Sequence, residues 1–369
     1  MRLLARVQEA AARGGPPLVD LGRGNPDVAP PAHVIEALVD AAREPTAQMH
    51  GYAPFAGLQA LREAIAQRYA THYGVELDPD TEVCIVPGTK SALSELVLCL
   101  AERGDTVLLP DPYYPDYPSG IALAGATLGY LPLDAERGYA PAFDLGPREN
   151  IAAFFLNYPC NPTAACVPGG AFADAIAFAH ETGAVCIHDF AYGDLVFDGR
   201  APRSFLAEPG AREVGVELFS LSKSYGMAGW RLGFVVGNAA LVARMQTLQD
   251  HVRAGIFAPV QHAGVAALTG PQDTVDERRD LYQARRDRVL AALGGHAAPC
   301  EGTFYVWLRL PDGLTPERLL DEHRLAVAPG EGFGPSGAGW ARISLATPDE
   351  QLDLGVERLQ LAAGEARVR

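Results

Sequence analysis

The chain has 369 residues, 48% of them hydrophobic, with 45 acidic residues against 30 basic ones and a formal net charge of -15. That length exceeds one small domain and can bury large cores, so a large domain and a smaller one are expected. The acidic balance argues against nucleic acid or an anionic membrane as partner; no apolar run nears the ~20 residues of a membrane span and the opening MRLLARVQEAAARGG has no signal-peptide core, so a cytoplasmic protein is expected.

In chain order, a helical pattern over 58–69, with Leu58, Leu61, Ile65 and Tyr69 at helical spacing, precedes the first strand-like segment, 82–87 (EVCIVP). Further apolar runs follow at 106–110 (TVLLP), 151–157 (IAAFFLN), 184–189 (AVCIHD), 216–221 (VELFSL) and 232–237 (LGFVVG), alternating with helical patterns. Strands covered by helices on both faces are apolar throughout, so these runs predict an α/β fold around a central, mostly parallel sheet. A long charged helix over 275–293 separates this region from a C-terminal segment with strands at 303–308 and 340–345 and a closing helix from about Asp349. The six cysteines, Cys84, Cys99, Cys160, Cys166, Cys186 and Cys300, show no CxxC pair and no metal-ligand spacing. They are expected to be reduced, buried packing residues, and no metal is expected.

Only Lys90 and Lys223 among the basic residues are lysine; the other 28 are arginine. A chain so biased should keep lysine where arginine cannot substitute, above all where a primary amine must lose its proton and attack a carbonyl; neutral drift is the alternative. In open α/β sheets ligands bind beyond the carboxyl ends of the strands, and four of those ends carry polar groups. After 82–87 come Gly88, Thr89 and Lys90, opening a helix whose free N–H groups can hold a phosphate, or simply making a turn. After 151–157 a proline-stiffened loop presents Asn161. The run 184–189 ends on Asp189, with Tyr192 three residues on; a carboxylate there needs a partner or serves as a structural cap. After 216–221 come Ser222, Lys223 and Ser224, with Arg231 eight residues beyond the lysine. One ligand with a carbonyl, a basic ring nitrogen, a phenolic oxygen and a phosphate accounts for all of these groups together.

The segments LGRGNPD (21–27), YAPFAGLQALREAI (52–65), DPYYPDY (111–117), NYPCNPT (157–163), DFAY (189–192), SLSKSYGMAGWRLG (220–233) and ARISLA (341–346) carry a resemblance over nearly the whole chain. The chain resembles the class I/II aminotransferases of pyridoxal 5'-phosphate (PLP) fold type I. Through LNYPCNPT, HDFAYGDLVFDG, FSLSKSYGMAGWRLGFVVGN and PGEGFGPSGAGWARISL it is most similar to the branch of LL-diaminopimelate aminotransferases and related alanine or broad-specificity transaminases. The resemblance implies PLP as cofactor and a homodimer. It also implies a large domain with a central, mostly parallel sheet covered by helices, plus a smaller α+β domain, divided as 1–33 (N-terminal part of the small domain), 34–280 (large PLP-binding domain) and 281–369 (C-terminal small domain). Lys223 would carry the cofactor and shuttle the proton between substrate Cα and the cofactor's C4′. Asp189 would pair the pyridinium nitrogen, Asn161 and Tyr192 would bond the phenolic oxygen, and Tyr114 would stack on the ring. Gly88, Thr89, Lys90, Ser220, Ser222 and Arg231 would hold the phosphate, joined by Tyr52 from a neighbouring subunit. Arg342, a planar fork, would take the α-carboxylate, beside Asn161 and Gly24.

Two positions depart from the pattern. Ala164 follows NPT where the family usually has Gly, which shifts the loop if that position needs a positive φ, and Phe190 follows Asp189 where close relatives commonly carry a small residue. Tyr117, Phe257 and the Tyr52 region of a neighbouring subunit are the candidates for selecting the side chain. An aspartate specialist needs a second cation, and Lys90 is committed to the phosphate turn, so a medium-sized donor is expected; Arg253, in HVRAGIF, is the main exception. The alternatives are a PLP-dependent β-elimination lyase of the C–S lyase type and a non-catalytic DNA-binding regulator. The lyase would use the same lysine and aspartate. The regulator is disfavoured by the net charge and by motifs that begin near Leu21.

Overall fold

The computed structural model describes residues 2–368. The strands, in chain order, are β1 (Val19–Asp20), β2 (Val83–Val86), β3 (Thr106–Asp111), β4 (Thr127–Asp134), β5 (Ala140–Pro141), β6 (Ile151–Asn157), β7 (Val185–Asp189), β8 (Gly215–Ser220), β9 (Gly233–Gly237), β10 (Tyr305–Arg309), β11 (Leu325–Ala326), β12 (Ala328–Pro329) and β13 (Trp340–Ser344). Side chains alternate between the faces of a strand, and here both faces are apolar. Phe154 and Leu156 of β6, Phe219 of β8 and Phe234 of β9 enter one core, while Phe155, Leu218 and Val235 of the same strands enter another on the opposite face. The helix Gln59–Tyr73 closes the first core with Leu61, Ala64, Ile65 and Tyr69, and the helix Thr89–Leu100 closes the second with Leu93, Leu96 and Val97.

The eight-stranded sheet has the order β2-β9-β8-β7-β6-β3-β4-β5. The pairs β8–β7, β7–β6, β6–β3 and β3–β4 are parallel; β9 runs antiparallel to both neighbours, and β5 antiparallel to β4. All six strands read from the apolar runs form, with ends within one residue of expectation. β4 and β5 escape that reading, because TLGYLPLD carries Gly129 and Pro132, both poor strand formers. Gly129 is required by packing: a Cβ there would lie 2.6 Å from Leu108 Cδ2.

A three-stranded antiparallel sheet, β10-β13-β12, and the parallel pair β1–β11 share a third core. Val19 and Leu21 near the start of the chain pack there with Val306, Ile343, Leu352 and Leu359, so both ends of the chain build one body. The predicted strand 303–308 starts at Tyr305 because Thr303 turns the chain with φ +67°. The charged helix Asp273–Leu293 ties this body to the N-terminal segment: the Tyr282 hydroxyl donates to Asp27 at 3.0 Å, and Arg285 pairs with Asp27 at 2.7 Å. Cys84, Cys160, Cys186 and Cys300 are buried as expected, whereas Cys99 and Cys166 are half-buried; all six are free thiols. No helix among the described residues is long and apolar enough to cross a membrane, and no group of three or more His, Cys, Asp or Glu among them could hold a metal.

Candidate active site

The carboxyl ends of β2, β6, β7 and β8 lie along one edge of the sheet. Because β9 runs the opposite way between β2 and β8, with Gly233 opposite both Val86 and Ser220, the turn before it brings Arg231 to the same edge. A cavity of about 450 Å³ opens there, and the second body closes it with Gly24, Tyr305 of β10 and Arg342 of β13. Gly24, Thr89, Lys90, Tyr114, Asn161, Asp189, Tyr192, Ser220, Ser222, Lys223, Arg231 and Arg342, all expected at the site, face this one space.

Lys223 sits in the short helical turn Leu221–Ser224, capped by the Ser220 hydroxyl, which accepts from the Ser222 N–H at 3.2 Å. Its Nζ donates to the Gly24 carbonyl at 3.4 Å and lies 5.7 Å from the Tyr192 ring. Burial holds the Lys223 ammonium below its ordinary pKa, with Tyr305 and Asp189 pulling the other way. Asp189, 6% exposed, accepts from the Tyr117 hydroxyl at 2.8 Å and from the Ala191 N–H at 3.2 Å. Burial raises its pKa, and those two donors oppose the rise. Asn157, which sequence reasoning passed over, donates to the Asp189 carbonyl at 2.9 Å and accepts the Asn161 N–H at 2.7 Å, stitching the ends of β6 and β7 to the Asn161 loop. A buried polar residue ending an apolar strand was the signal available for it.

Arg342 is 7% exposed and no carboxylate among the described residues pairs with it. Its Nη1 donates to Asn161 Oδ1 at 2.9 Å and its Nη2 to the Gly22 carbonyl at 3.0 Å, while its buried Nε has no partner. A buried guanidinium held by neutral acceptors alone retains its full charge for a ligand. At the opposite end, Gly88 caps the helix Thr89–Leu100 with φ +83° and no side-chain cap, leaving the first N–H groups open. A Cβ at Gly88 would lie 2.2 Å from Arg231 Nη2, so a larger residue would displace that guanidinium as well as strain a backbone held at positive φ. Lys90 turns its ammonium to Asp116 at 2.8 Å, leaving its backbone to the cradle. The cavity thus carries Lys90, Lys223, Arg231 and Arg342 against Asp189 as its carboxylate, within a chain of net charge -15. These groups suit a ligand with a phosphate at one end, a carboxylate at the other and a carbonyl near Lys223.

Several expectations are corrected. Tyr117 does not select side chains in this cavity: it is 1% exposed, stacks on Phe155 at 4.6 Å and serves Asp189. Phe257, 47% exposed, lies outside the cavity of its own chain; Tyr52, 88% exposed, lies outside it too, which corrects nothing, since Tyr52 was expected at a neighbouring subunit's site. Arg253, expected as a charge supplied across a subunit interface, pairs within its own chain with Glu95 beside Gln249, away from that chain's cavity. Phe190 points into the core, stacked on His188 at 5.3 Å, and does not line the cavity. Ala164 adopts the left-handed conformation glycine would take, φ +60°, fully buried, and its carbonyl accepts from the N–H groups of Glu301 and Gly302. The loop therefore keeps its course at the cost of a strained alanine. Tyr305 was missed; it sits on the strand that pairs with β13, and pairing the two predicted strands was the means of finding it.

An edge-of-sheet cavity that gathers a lysine of lowered pKa, an aspartate, the open N–H groups of a helix start and a buried arginine without a carboxylate has the groups a PLP-dependent enzyme requires. The family model for aminotransferase class I and II matches residues 16–359; the chain belongs to this family and is a PLP-dependent aminotransferase of fold type I. It is 40% identical over 367 residues to L-glutamine--4-(methylsulfanyl)-2-oxobutanoate aminotransferase of Bacillus subtilis, covering 97% of this chain and 92% of that protein. It is 39% identical over 376 residues to LL-diaminopimelate aminotransferase of Moorella thermoacetica, covering 99% and 95%. Among solved structures, substrate-bound BacF from Bacillus subtilis superposes with a TM-score of 0.92 at 40% identity, covering 98% of this chain and 94% of that one. These likenesses favour transamination over the β-elimination alternative.

Proposed function

We propose that this aminotransferase takes its amino group from L-amino acids with medium-sized or long side chains, in a broad-specificity or LL-diaminopimelate-like manner, and passes it to a 2-oxo acid by ping-pong exchange. The observation that carries this reading is Arg342, buried without a carboxylate partner and facing the same cavity as Lys223. The bidentate fork matches an α-carboxylate that both donor and acceptor share. Of the other cations that line the cavity among the described residues, Arg231 is assigned to the phosphate and Lys90 is paired with Asp116, while Arg253 lies outside it, paired with Glu95, so none is left for a distal carboxylate.

PLP, when bound, supplies an electrophilic carbonyl and a ring that withdraws electrons. Lys223, its charge disfavoured by burial, offers a neutral amine at Nζ for attachment and then carries the proton removed from the substrate Cα. Asp189, oriented by Tyr117 and Ala191, pairs with a protonated ring nitrogen, which supplies the counter-charge that its burial otherwise denies it. Asn161 and Tyr192 donate to the phenolic oxygen, and Tyr114 covers the ring. The open N–H groups after Gly88, the hydroxyls of Ser220 and Ser222, and Arg231 hold the phosphate. Gly24 lets the N-terminal segment close over the substrate.

Tyr52, Phe55, Val252 and Phe257 form an exposed apolar surface, 88%, 48%, 65% and 47% accessible, with Ala53 against Gly255. This supports a homodimer in which Tyr52 reaches the neighbouring subunit's phosphate cradle. The division into 1–33, 34–280 and 281–369 and a cytoplasmic location complete the reading. Borohydride reduction of the PLP-loaded protein followed by peptide mapping is expected to find the label on Lys223, and a donor screen is expected to favour diaminopimelate-like, alanine, glutamate or aromatic donors over aspartate. Label on Lys90, or aspartate as the sole good donor, would reverse the corresponding assignment.

A further inference from the structure

Tyr305 touches both ends of the reaction zone. It is 2% exposed and opens β10. Trp307 pairs with Arg342 across β10 and β13, so Tyr305, two residues earlier, shares the face that carries Arg342. The Arg342 guanidinium carbon lies 4.0 Å from the centre of the Tyr305 ring. The Tyr305 and Tyr192 hydroxyls are 3.2 Å apart. Gly24 closes over the same hydroxyl, where a Cβ would come within 1.8 Å of it, and the Gly24 carbonyl accepts from Lys223. The charged and titratable groups facing Lys223 are Tyr305 on β10, Arg342 on β13, Asp189 on β7 and Arg231 before β9; those facing Tyr192 are Tyr305, Arg342 and Tyr114. Of these, Tyr305 contacts both Arg342 and Tyr192 directly.

Resting on the roles assigned above to Arg342 and Tyr192, we propose that Tyr305 is a positioning residue coupling the carboxylate subsite to the cofactor's phenolic oxygen. Its ring is the platform over which the Arg342 guanidinium lies, and its hydroxyl, which accepts from Tyr192 in this structure, becomes the donor to Tyr192 once the single Tyr192 hydrogen turns to the phenolic oxygen, and so strengthens Tyr192 in that bond. The platform works because the edges of the guanidinium are engaged by Asn161 and Gly22, leaving its face to be held by a π surface. The relay works because a hydroxyl that accepts a hydrogen bond becomes a better donor. Donation to the phenolic oxygen favours the form in which the cofactor-bound lysine nitrogen has lost its proton, so weakening the relay raises the pKa of that nitrogen.

The test compares Tyr305→Phe and Tyr305→Leu with the parent, all loaded with PLP. One readout is the pH midpoint of the visible absorbance change; the other is the Kd of butyrate, a carboxylate with no amine to react. Tyr305→Phe removes the hydroxyl and keeps the platform: the midpoint is expected to rise by about half a pH unit or more, with the butyrate Kd within about twofold of the parent. Tyr305→Leu removes both, and is expected to show the same rise together with butyrate binding weakened about fivefold. An unchanged midpoint in both variants overturns the relay, and equal butyrate affinity in Phe and Leu variants overturns the platform. The volume-conserving Phe variant decides the relay even where Leu impairs folding. A parent that forms no absorbing complex with PLP, or that carries the reduced label away from Lys223, would instead overturn the site assignment on which Tyr305 depends.

Discussion

Replacing Arg342 by Leu separates substrate recognition from cofactor retention. The guanidinium spends two of its donors on Asn161 Oδ1 and the Gly22 carbonyl and is buried without a carboxylate, so an arriving α-carboxylate meets a desolvated cation. A hydrogen bond to a charged group contributes roughly 1.5–3 kcal/mol, and a bidentate pair about twice that. The expected loss is therefore about 3–6 kcal/mol in kcat/KM, or between roughly 10² and 10⁴ in rate. The assay is kcat/KM for an L-amino acid beside kcat/KM for the corresponding primary amine, which has no carboxylate. Arg342→Leu should spare the amine and keep the bound PLP, while Arg231→Ala should lose PLP on dialysis. If the amine suffers as much as the amino acid, or if Arg342→Leu sheds PLP as readily as Arg231→Ala, Arg342 is not the carboxylate residue.

Burial raises the pKa of Asp189 in the folded state, so at low pH both states are protonated and its charge has no effect on stability; as pH rises the unfolded chain ionises first and the folded state loses ground. PLP-free Asp189→Asn should therefore melt above the PLP-free parent at pH 7, by a margin that narrows towards pH 4, while binding PLP more weakly; a margin independent of pH would refute this. Ala164→Val places a β-branched side chain at φ +60° in a fully buried site and should destabilise by about 2 kcal/mol or more in urea, whereas Ala164→Gly should stay within about 1 kcal/mol of the parent. Mixing Lys223→Ala with Tyr52→Ala, after subunit exchange at limiting PLP, should restore about a quarter of parental activity, because random dimers give a quarter of sites with both residues intact. A mixture no more active than its Tyr52→Ala component would place Tyr52 outside any shared site.

The central sheet was legible because its strands are covered on both faces and so read as unbroken apolar runs. β4, interrupted by Gly129 and Pro132, was not, since its glycine answers to Leu108 on the neighbouring strand, a contact no local pattern records. At the site, residues that follow strand ends were legible one by one. Tyr117 was misread because its place beneath Asp189 depends on how the loop after β3 folds back over β7. The internal pairing of Arg253 with Glu95 likewise depends on tertiary placement.

The site's charges also set what binding a ligand does to the protein. Lys223, pushed towards its neutral form, and Asp189, pushed towards its acid form, sit where burial disfavours their charge, and Arg342 is buried without a carboxylate partner. None of these groups improves the stability of the protein without its ligands, and each is relieved by a complementary group: a carboxylate, a carbonyl, a cationic ring nitrogen. Binding energy that a self-satisfied network would have absorbed is thus left available for cofactor and substrate, and ligation should stabilise the fold in proportion to ligand excess over Kd. The neutral partners are part of the same arrangement. An aspartate in place of Asn161 would pair with Arg342 internally and quench it, which is why the residue 2.9 Å from that guanidinium carries an amide and not a carboxylate.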